Sequence, residues 1–163
     1  MYPTKGKQKP RKSRAGKPSS GGDPASDRLR VGRSRTGLGL FAVAPIRRGE
    51  FIVEYWGKRF SSAQAYELRT KYLFDLNGRW VIDGSDRRNT ARYINHACKP
   101  NSIAQVERGS ILIYAKKNIS AGDEITCHYG KQYFDVFLSA KGCRCAVCEP
   151  ARRAPRKPAQ GRT

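Results

Sequence analysis

The sequence predicts a mostly β protein, and three observations carry that expectation. Its apolar stretches are short, as in Phe51-Ile52-Val53 and Ile111-Leu112-Ile113. They recur at intervals of about 8–12 residues, the spacing of small sheets rather than of helices. Between them lie clusters of Gly, Asn, Asp and Pro, residues that reverse a chain.

Each element follows from local chemistry. Strands at 38–44 and 51–56 flank Pro45-Ile46-Arg47-Arg48-Gly49, which has the residues of a turn. One helix is expected at 62–70, opened by a capping box between Ser61 and Gln64. Strands at 72–76 and 80–83 flank Asn77-Gly78, a strong hairpin signal because both residues favour positive φ. A second, shorter helix is expected at 89–94. Strands at 104–107 and 111–116 then flank Arg108-Gly109-Ser110, and a strand at 125–129 follows the turn Ser120-Ala121-Gly122-Asp123-Glu124.

The chain has 163 residues and a formal charge of +20. Residues 1–28 and 149–163 are rich in Lys, Arg, Pro, Gly and Ser with almost nothing to bury, so both are expected to be disordered basic tails. The folded part is then 29–148, long enough for one core. No apolar run approaches the ~20 residues of a membrane helix, and no apolar stretch follows the basic N-terminus as in a secretory signal. The expectation is a soluble intracellular chain drawn to anionic surfaces, without membrane association. Five cysteines fit a reducing compartment: Cys98, Cys127, Cys143, Cys145 and Cys148, the last three within six residues. Such clustering suggests metal ligation more than a disulfide frame, with a redox cluster or surface thiols as the competing readings.

The informative stretch is Arg92-Tyr93-Ile94-Asn95-His96-Ala97-Cys98-Lys99-Pro100-Asn101. Alone, its histidine reads more readily as a structural group than as a catalytic or binding one. It lies, however, between Gly37-Leu38-Gly39-Leu40-Phe41-Ala42 upstream and Asp123-Glu124-Ile125-Thr126-Cys127-His128-Tyr129-Gly130 downstream. In this order and spacing the three blocks resemble the SET-domain protein lysine methyltransferases. The text at 46–55, 72–76 and 81–84 is similar to that family as well, so the resemblance covers about 29–148.

The resemblance implies a fold of small curled β-sheets, with 95–101 passing beneath a C-terminal loop as a pseudoknot. It divides the ordered chain into a SET domain at 29–130 and a post-SET zinc-binding segment at 131–148. It implies S-adenosylmethionine as methyl donor, on one side of a narrow channel that admits the target lysine from the other. Tyr129 matches the catalytic tyrosine. Tyr55, Phe74 and Cys127 match the substrate channel; Gly37, Leu38, Gly39, Tyr72, Asn95 and His96, with Tyr129, match cofactor contacts. His128 is read as a supporting polar group rather than a base. Cys127 stands where Phe or Tyr is usual and would leave room for a methylated amine, so methylation to the di- or trimethyl state is expected. Cys98, Cys143, Cys145 and Cys148 match the ligands of a structural Zn²⁺, and Phe134 or Phe137 would pack near the adenine. The Cys-His-Tyr-Gly run, and the two rather than four residues between Cys145 and Cys148, are most similar to a branch of histone H4 dimethyl- and trimethyltransferases.

The expected protein partner bears a lysine and is itself held on nucleic acid, such as a histone, nucleoid or ribosomal protein, because a basic enzyme repels a free basic peptide. The tails would bind nucleic acid without reading sequence, and the chain is expected to act as a monomer. Its place would be cytoplasm or nucleoid in a bacterium. In a eukaryote it would be the nucleus or chromosome, with Lys9-Pro10-Arg11-Lys12 as an import signal. Two other readings stand beside the enzyme: an inactive SET-like basic scaffold, and a nucleic-acid-binding zinc protein.

Overall fold

The computed structural model describes residues 26–68, 70–130, 133 and 142–149. Phe134, Phe137 and nearly all of both basic tails lie outside them. Ten short strands form three small sheets. In the first, β1 (Leu29–Ser34) and β2 (Gly37–Ala42) make an antiparallel hairpin whose two-residue turn ends at Gly37, at φ +124. The far edge of β2 takes β10 (Glu124–Cys127) antiparallel, and β10 takes the two-residue β7 (Asn95–His96) in parallel. The second sheet has the order β3 (Phe51–Tyr55), β9 (Ser110–Ala115), β8 (Ser102–Glu107). The third has the order β4 (Lys58–Ser61), β6 (Trp80–Asp83), β5 (Leu73–Asp75).

Side-chain alternation along β10 places the site. Ile125 and Cys127 point into the core with Leu40, Ile111 and Ile119, whereas Glu124 and Thr126 face away from it. Burying each such aliphatic side chain contributes about 1.5–3 kcal/mol, so β10 has one anchored face and one free to line a site. Beyond β7, the Asn101 side chain stands in for a neighbouring strand. Its Nδ2 donates to the Glu124 carbonyl (2.8 Å) and its Oδ1 accepts from the Thr126 N–H (2.8 Å). The Ser102 hydroxyl then donates to the Thr126 carbonyl (2.9 Å). Segments some thirty residues apart in sequence are thereby laid side by side, as the resemblance implies.

Several elements differ from the sequence expectation for local reasons. The capping box forms, with Gln64 N–H donating to Ser61 Oγ and Ser61 N–H to Gln64 Oε1. Yet the helix, α1, covers only Ser62–Tyr66, because Ala65 alone is buried and Tyr66 is 90% exposed, leaving no apolar face to extend it. The second helix is a 3₁₀ turn at Thr90–Tyr93. Asn89 precedes it but does not cap it; its Nδ2 is buried, donating to the Trp56 carbonyl (2.7 Å) and the Gly84 carbonyl (3.3 Å). The turn at Gly49 forms, but β2 and β3 enter different sheets. Asn77-Gly78 does close the β5–β6 hairpin, though only Gly78 has positive φ (77°). Asn77 instead uses its carbonyl oxygen to accept from the N–H groups of Arg79 and Trp80. Arg108-Gly109, at φ 48° and 85°, makes the tight two-residue turn with both residues left-handed. No helix among the described residues is long and apolar enough to cross a membrane.

One glycine holds the third sheet to the core. A Cβ on Gly84 would overlap the phenol ring of Tyr55. Gly84→Ala is expected to cost about 1–3 kcal/mol through overpacking, seen as a lower urea midpoint with an unchanged m-value. An unchanged midpoint would show that the ring has room to move.

Candidate active site

Four phenols converge where β7, β10 and the third sheet meet. Tyr129 follows β10, and its hydroxyl donates to the Ile94 carbonyl (2.5 Å) while its N–H donates to His96 Nδ1 (3.3 Å). The Tyr133 ring packs edge-on against it at 4.7 Å and the His96 ring at 5.5 Å. Tyr55 donates its hydroxyl to the Tyr72 carbonyl (2.7 Å) and its ring lies 5.4 Å from Phe74. Burial, then the neighbouring Tyr133 phenol, Cys127 thiol and Tyr55 and Tyr72 phenols, push the Tyr129 hydroxyl above its ordinary range. Burial and then Asp83 do the same to Tyr55, and burial with Tyr72 to Tyr133. These hydroxyls therefore stay protonated at neutral pH. Cys127 is buried beside them, and burial raises its thiol too.

On the other side of β7 lies a cleft of about 380 Å³. Ser34, Arg35 and Thr36 line it from the β1–β2 turn, Asn95, His96, Ala97 and Lys99 from β7 and beyond, and Glu124 and Thr126 from the free face of β10. His96 thus borders both the cleft and the phenols, separating them by one side chain. Asn95 works through its amide: Nδ2 donates to the Leu38 carbonyl (3.0 Å) and to Glu124 Oε1 (2.7 Å), which also accepts from the Ser34 hydroxyl (2.7 Å). This carboxylate ties the end of β1 and β7 to β10, and the Asn95 amide carries the link on to Leu38. The same carboxylate explains Gly39, where a Cβ would stand 2.5 Å from Glu124 Oε1. Gly37 and Leu38 sit at the start of β2, Leu38 exposed; Tyr72 sits with the phenols and is not among the residues lining this cleft.

The cysteine cluster closes one wall of the cleft. The Sγ atoms of Cys98, Cys143, Cys145 and Cys148 lie within 4.8 Å of one another, with Cys98 at 3.5 Å from Cys148 and 3.8 Å from Cys143. All five cysteines are free thiols. Four thiolates at ~2.3 Å from a tetrahedral Zn²⁺ would be spaced by about 3.8 Å, so donor set and spacing fit that ion. Burial, then its cysteine neighbours, push the Cys98 thiol up. Burial acts upward on Cys145 too, but the N–H groups of Cys98 and Cys148 outweigh it and bring that thiol down to about 6. Arg144, Cys145, Ala146 and Val147 line the cleft directly, so the cluster and the cleft share a loop.

Of the residues expected to contact the cofactor, Asn95 and His96 line the cleft, whereas Gly37, Leu38, Gly39, Tyr72 and Tyr129 are not among its lining. Sequence reasoning did not single out Ser34, Glu124, Arg92 or Tyr133. Glu124 and Arg92 stand within the motif blocks, but only their contacts reveal what they do. Nothing local to Ser34 or Tyr133 marks either.

Three small sheets, with β7 laid parallel to β10 between a cleft and a group of phenols, are the setting of the site, and the chain belongs to the SET-domain family: residues 37–130 match the SET domain. Its relatives include the histone-lysine N-methyltransferase set-2 of Caenorhabditis elegans, 38% identical over 134 residues, covering 71% of this chain and 9% of that protein. Another is the Yarrowia lipolytica histone-lysine N-methyltransferase, H3 lysine-4 specific, 33% identical over 125 residues and covering 65% and 11%. A chain in the crystal structure of the Chaetomium thermophilum polycomb repressive complex 2 is similar in fold, with a TM-score of 0.59 and 30% identity, covering 67% of this chain and 16% of that one. This chain spans about a tenth of the length of these curated relatives.

Proposed function

We propose that this chain is a protein-lysine N-methyltransferase that uses S-adenosylmethionine. The observation that carries the reading is Tyr129, a half-buried, protonated phenol fixed by the Ile94 carbonyl beside Asn95 and His96. When bound, S-adenosylmethionine supplies a methyl group on positively charged sulfur. The cleft suits it in size, since small-molecule sites run to ~300–1,000 Å³. It also suits a zwitterion, offering Arg35, Lys99, Lys117 and Arg144 to a carboxylate and Asp123 and Glu124 to an ammonium or hydroxyl group.

The chain's own residues align and desolvate rather than act as a strong base. A lysine amine must arrive uncharged, which at pH ~7.4 costs about 4 kcal/mol from a pKa of ~10.4. Walls made by Tyr55, Phe74 and Cys127 exclude water and disfavour the ammonium form. The Tyr129 proton is committed to the Ile94 carbonyl, which leaves the oxygen lone pairs available and would let them stabilise an electron-poor methyl group supplied by the bound donor. Cys127, small and buried, leaves space for an amine that already bears methyl groups, so the reaction proceeds to the di- or trimethyl state. Cys98, Cys143, Cys145 and Cys148 hold a structural Zn²⁺. The substrate is a lysine of a nucleic-acid-bound protein, a histone in the nucleus if the source is eukaryotic, and the basic tails hold a monomeric enzyme there.

Tritiated methyl transfer to core histones, free and in nucleosomes, tests the reading, with mass spectrometry of the product. Label on lysine, faster on nucleosomes at low salt and reaching the dimethyl state, is expected. Cofactor binding by calorimetry without transfer would leave a SET-like basic scaffold, and no binding would end both.

A further inference from the structure

Arg92 stands on the 3₁₀ turn Thr90–Tyr93, three residues before Asn95. Its guanidinium carbon lies 4.1 Å from the centre of the Tyr72 ring and 5.3 Å from that of Tyr93. Its Nε is buried and has no hydrogen-bond partner among the described residues. The ion pairs among those residues are Arg28–Glu50 and Arg88–Asp86, and Arg92 is in neither; Asp86, whose carboxylate feels the Arg92 charge, is held by Arg88. A guanidinium keeps its charge across the whole accessible pH range. Stacking on Tyr72 holds it there.

The charge borders the phenol cluster. Tyr72, beneath the guanidinium, accepts the Tyr55 hydroxyl through its carbonyl. Arg92 opposes the upward push that burial, Asp83 and Tyr133 exert on the Tyr55 phenol. The other groups facing this space are the phenols of Tyr72, Tyr93, Tyr129 and Tyr133, the Cys127 thiol with Lys116 behind it, the His96 and His128 rings, and the carboxylates of Asp83 and Asp86. Asp83 is occupied by the N–H and hydroxyl of Ser85, and Asp86 by Arg88.

We infer that Arg92 is a positioning residue that keeps the target amine uncharged, its fixed cation over Tyr72 disfavouring a second cation among the neighbouring phenols. A like charge held nearby lowers the pKa of an amine, as burial does. The inference rests on the methyl-transfer reading and adds to it a resident charge that acts whether or not the sulfonium is present.

The test is kcat on saturating core histones between pH ~7 and ~10, which reports ionisations of the bound complex, for the unaltered chain, Arg92→Gln and Arg92→Lys. The unaltered chain is expected to lose activity on the acid side well below the free-lysine pKa of ~10.4. Arg92→Gln, which keeps a planar group over Tyr72 without charge, should move that limb up by about one pH unit. It should be about tenfold slow at pH 7.5 and recover near the alkaline end. Arg92→Lys should leave the limb in place. An equal loss at every pH for Arg92→Gln, or an equal limb shift for both variants, overturns the inference. So does a limb at ~10.4 for the unaltered chain, whatever the variants do. No turnover by the unaltered chain at any pH overturns the methyl-transfer reading and this inference with it.

Discussion

Tyr129→Phe is expected to slow methyl transfer by about 10²–10³-fold while leaving S-adenosylmethionine affinity within about threefold. Removing one preorganised oxygen from a buried site costs a rate factor of that order, and no cofactor-cleft residue is disturbed by the change. The ring would keep its contacts with Tyr133 and His96, so the packing around it survives. Some stability goes as well, because the Ile94 carbonyl loses its donor, a loss of about 1–3 kcal/mol for a buried group. Three measurements separate these effects: single-turnover rate, calorimetric affinity and urea midpoint. A variant within tenfold of the unaltered rate would remove Tyr129 from the chemistry, and a parallel loss of affinity would make its role structural.

Stripping metal from the four-thiol cluster is expected to weaken cofactor binding at least tenfold and to lower the melting temperature. Zinc affinity and folding are coupled wherever the ion organises its ligands, and here Arg144, Cys145, Ala146 and Val147 form one wall of the cleft proposed for the cofactor. Without an ion the loop is held by weaker contacts: Cys98 is exposed, its thiol pairs with Cys148 and Cys143 stand at 3.5 and 3.8 Å, and the Cys145 N–H donates to the Cys143 sulfur at 3.4 Å. Metal analysis should find one zinc per chain. Cys145→Ser should mimic chelation, and adding zinc back should rescue the chelated protein but not the variant. Metal-free protein with full cofactor affinity would show that the loop stands by itself.

The residues most legible in the sequence were those whose chemistry is carried by type and order. Asn95, His96 and Tyr129 could be paired before any coordinates because their flanking blocks are dense and specific, and the fourth thiol, Cys98, followed from the same resemblance. Turn geometry was less legible. Asn77-Gly78 and Arg108-Gly109 exchange the conformations their residue types suggest. In the first, Asn77 finds backbone N–H groups for its side chain; in the second, β8 and β9 pair right up to the turn. Strand β4, Lys-Arg-Phe-Ser, shows no alternation and exists because β6 offers it an edge. Glu124 and Arg92 carry ordinary charged side chains whose use depends entirely on what lies 3–4 Å away.

By itself, the sequence determined the class of fold, because hydrophobic spacing and turn chemistry are properties of local order; its resemblance to the SET-domain family pointed to the segments proposed for the site and to the four thiols that cluster. Only the tertiary structure decided that the Glu124 carboxylate of β10 gathers Ser34 and Asn95, that His96 borders both the cleft and the phenols, and that a guanidinium in no ion pair among the described residues lies over Tyr72. Those relations join residues from about 20 to 90 positions apart. Their energies depend on burial and on distances of a few ångströms, quantities that exist only once the chain has closed on itself.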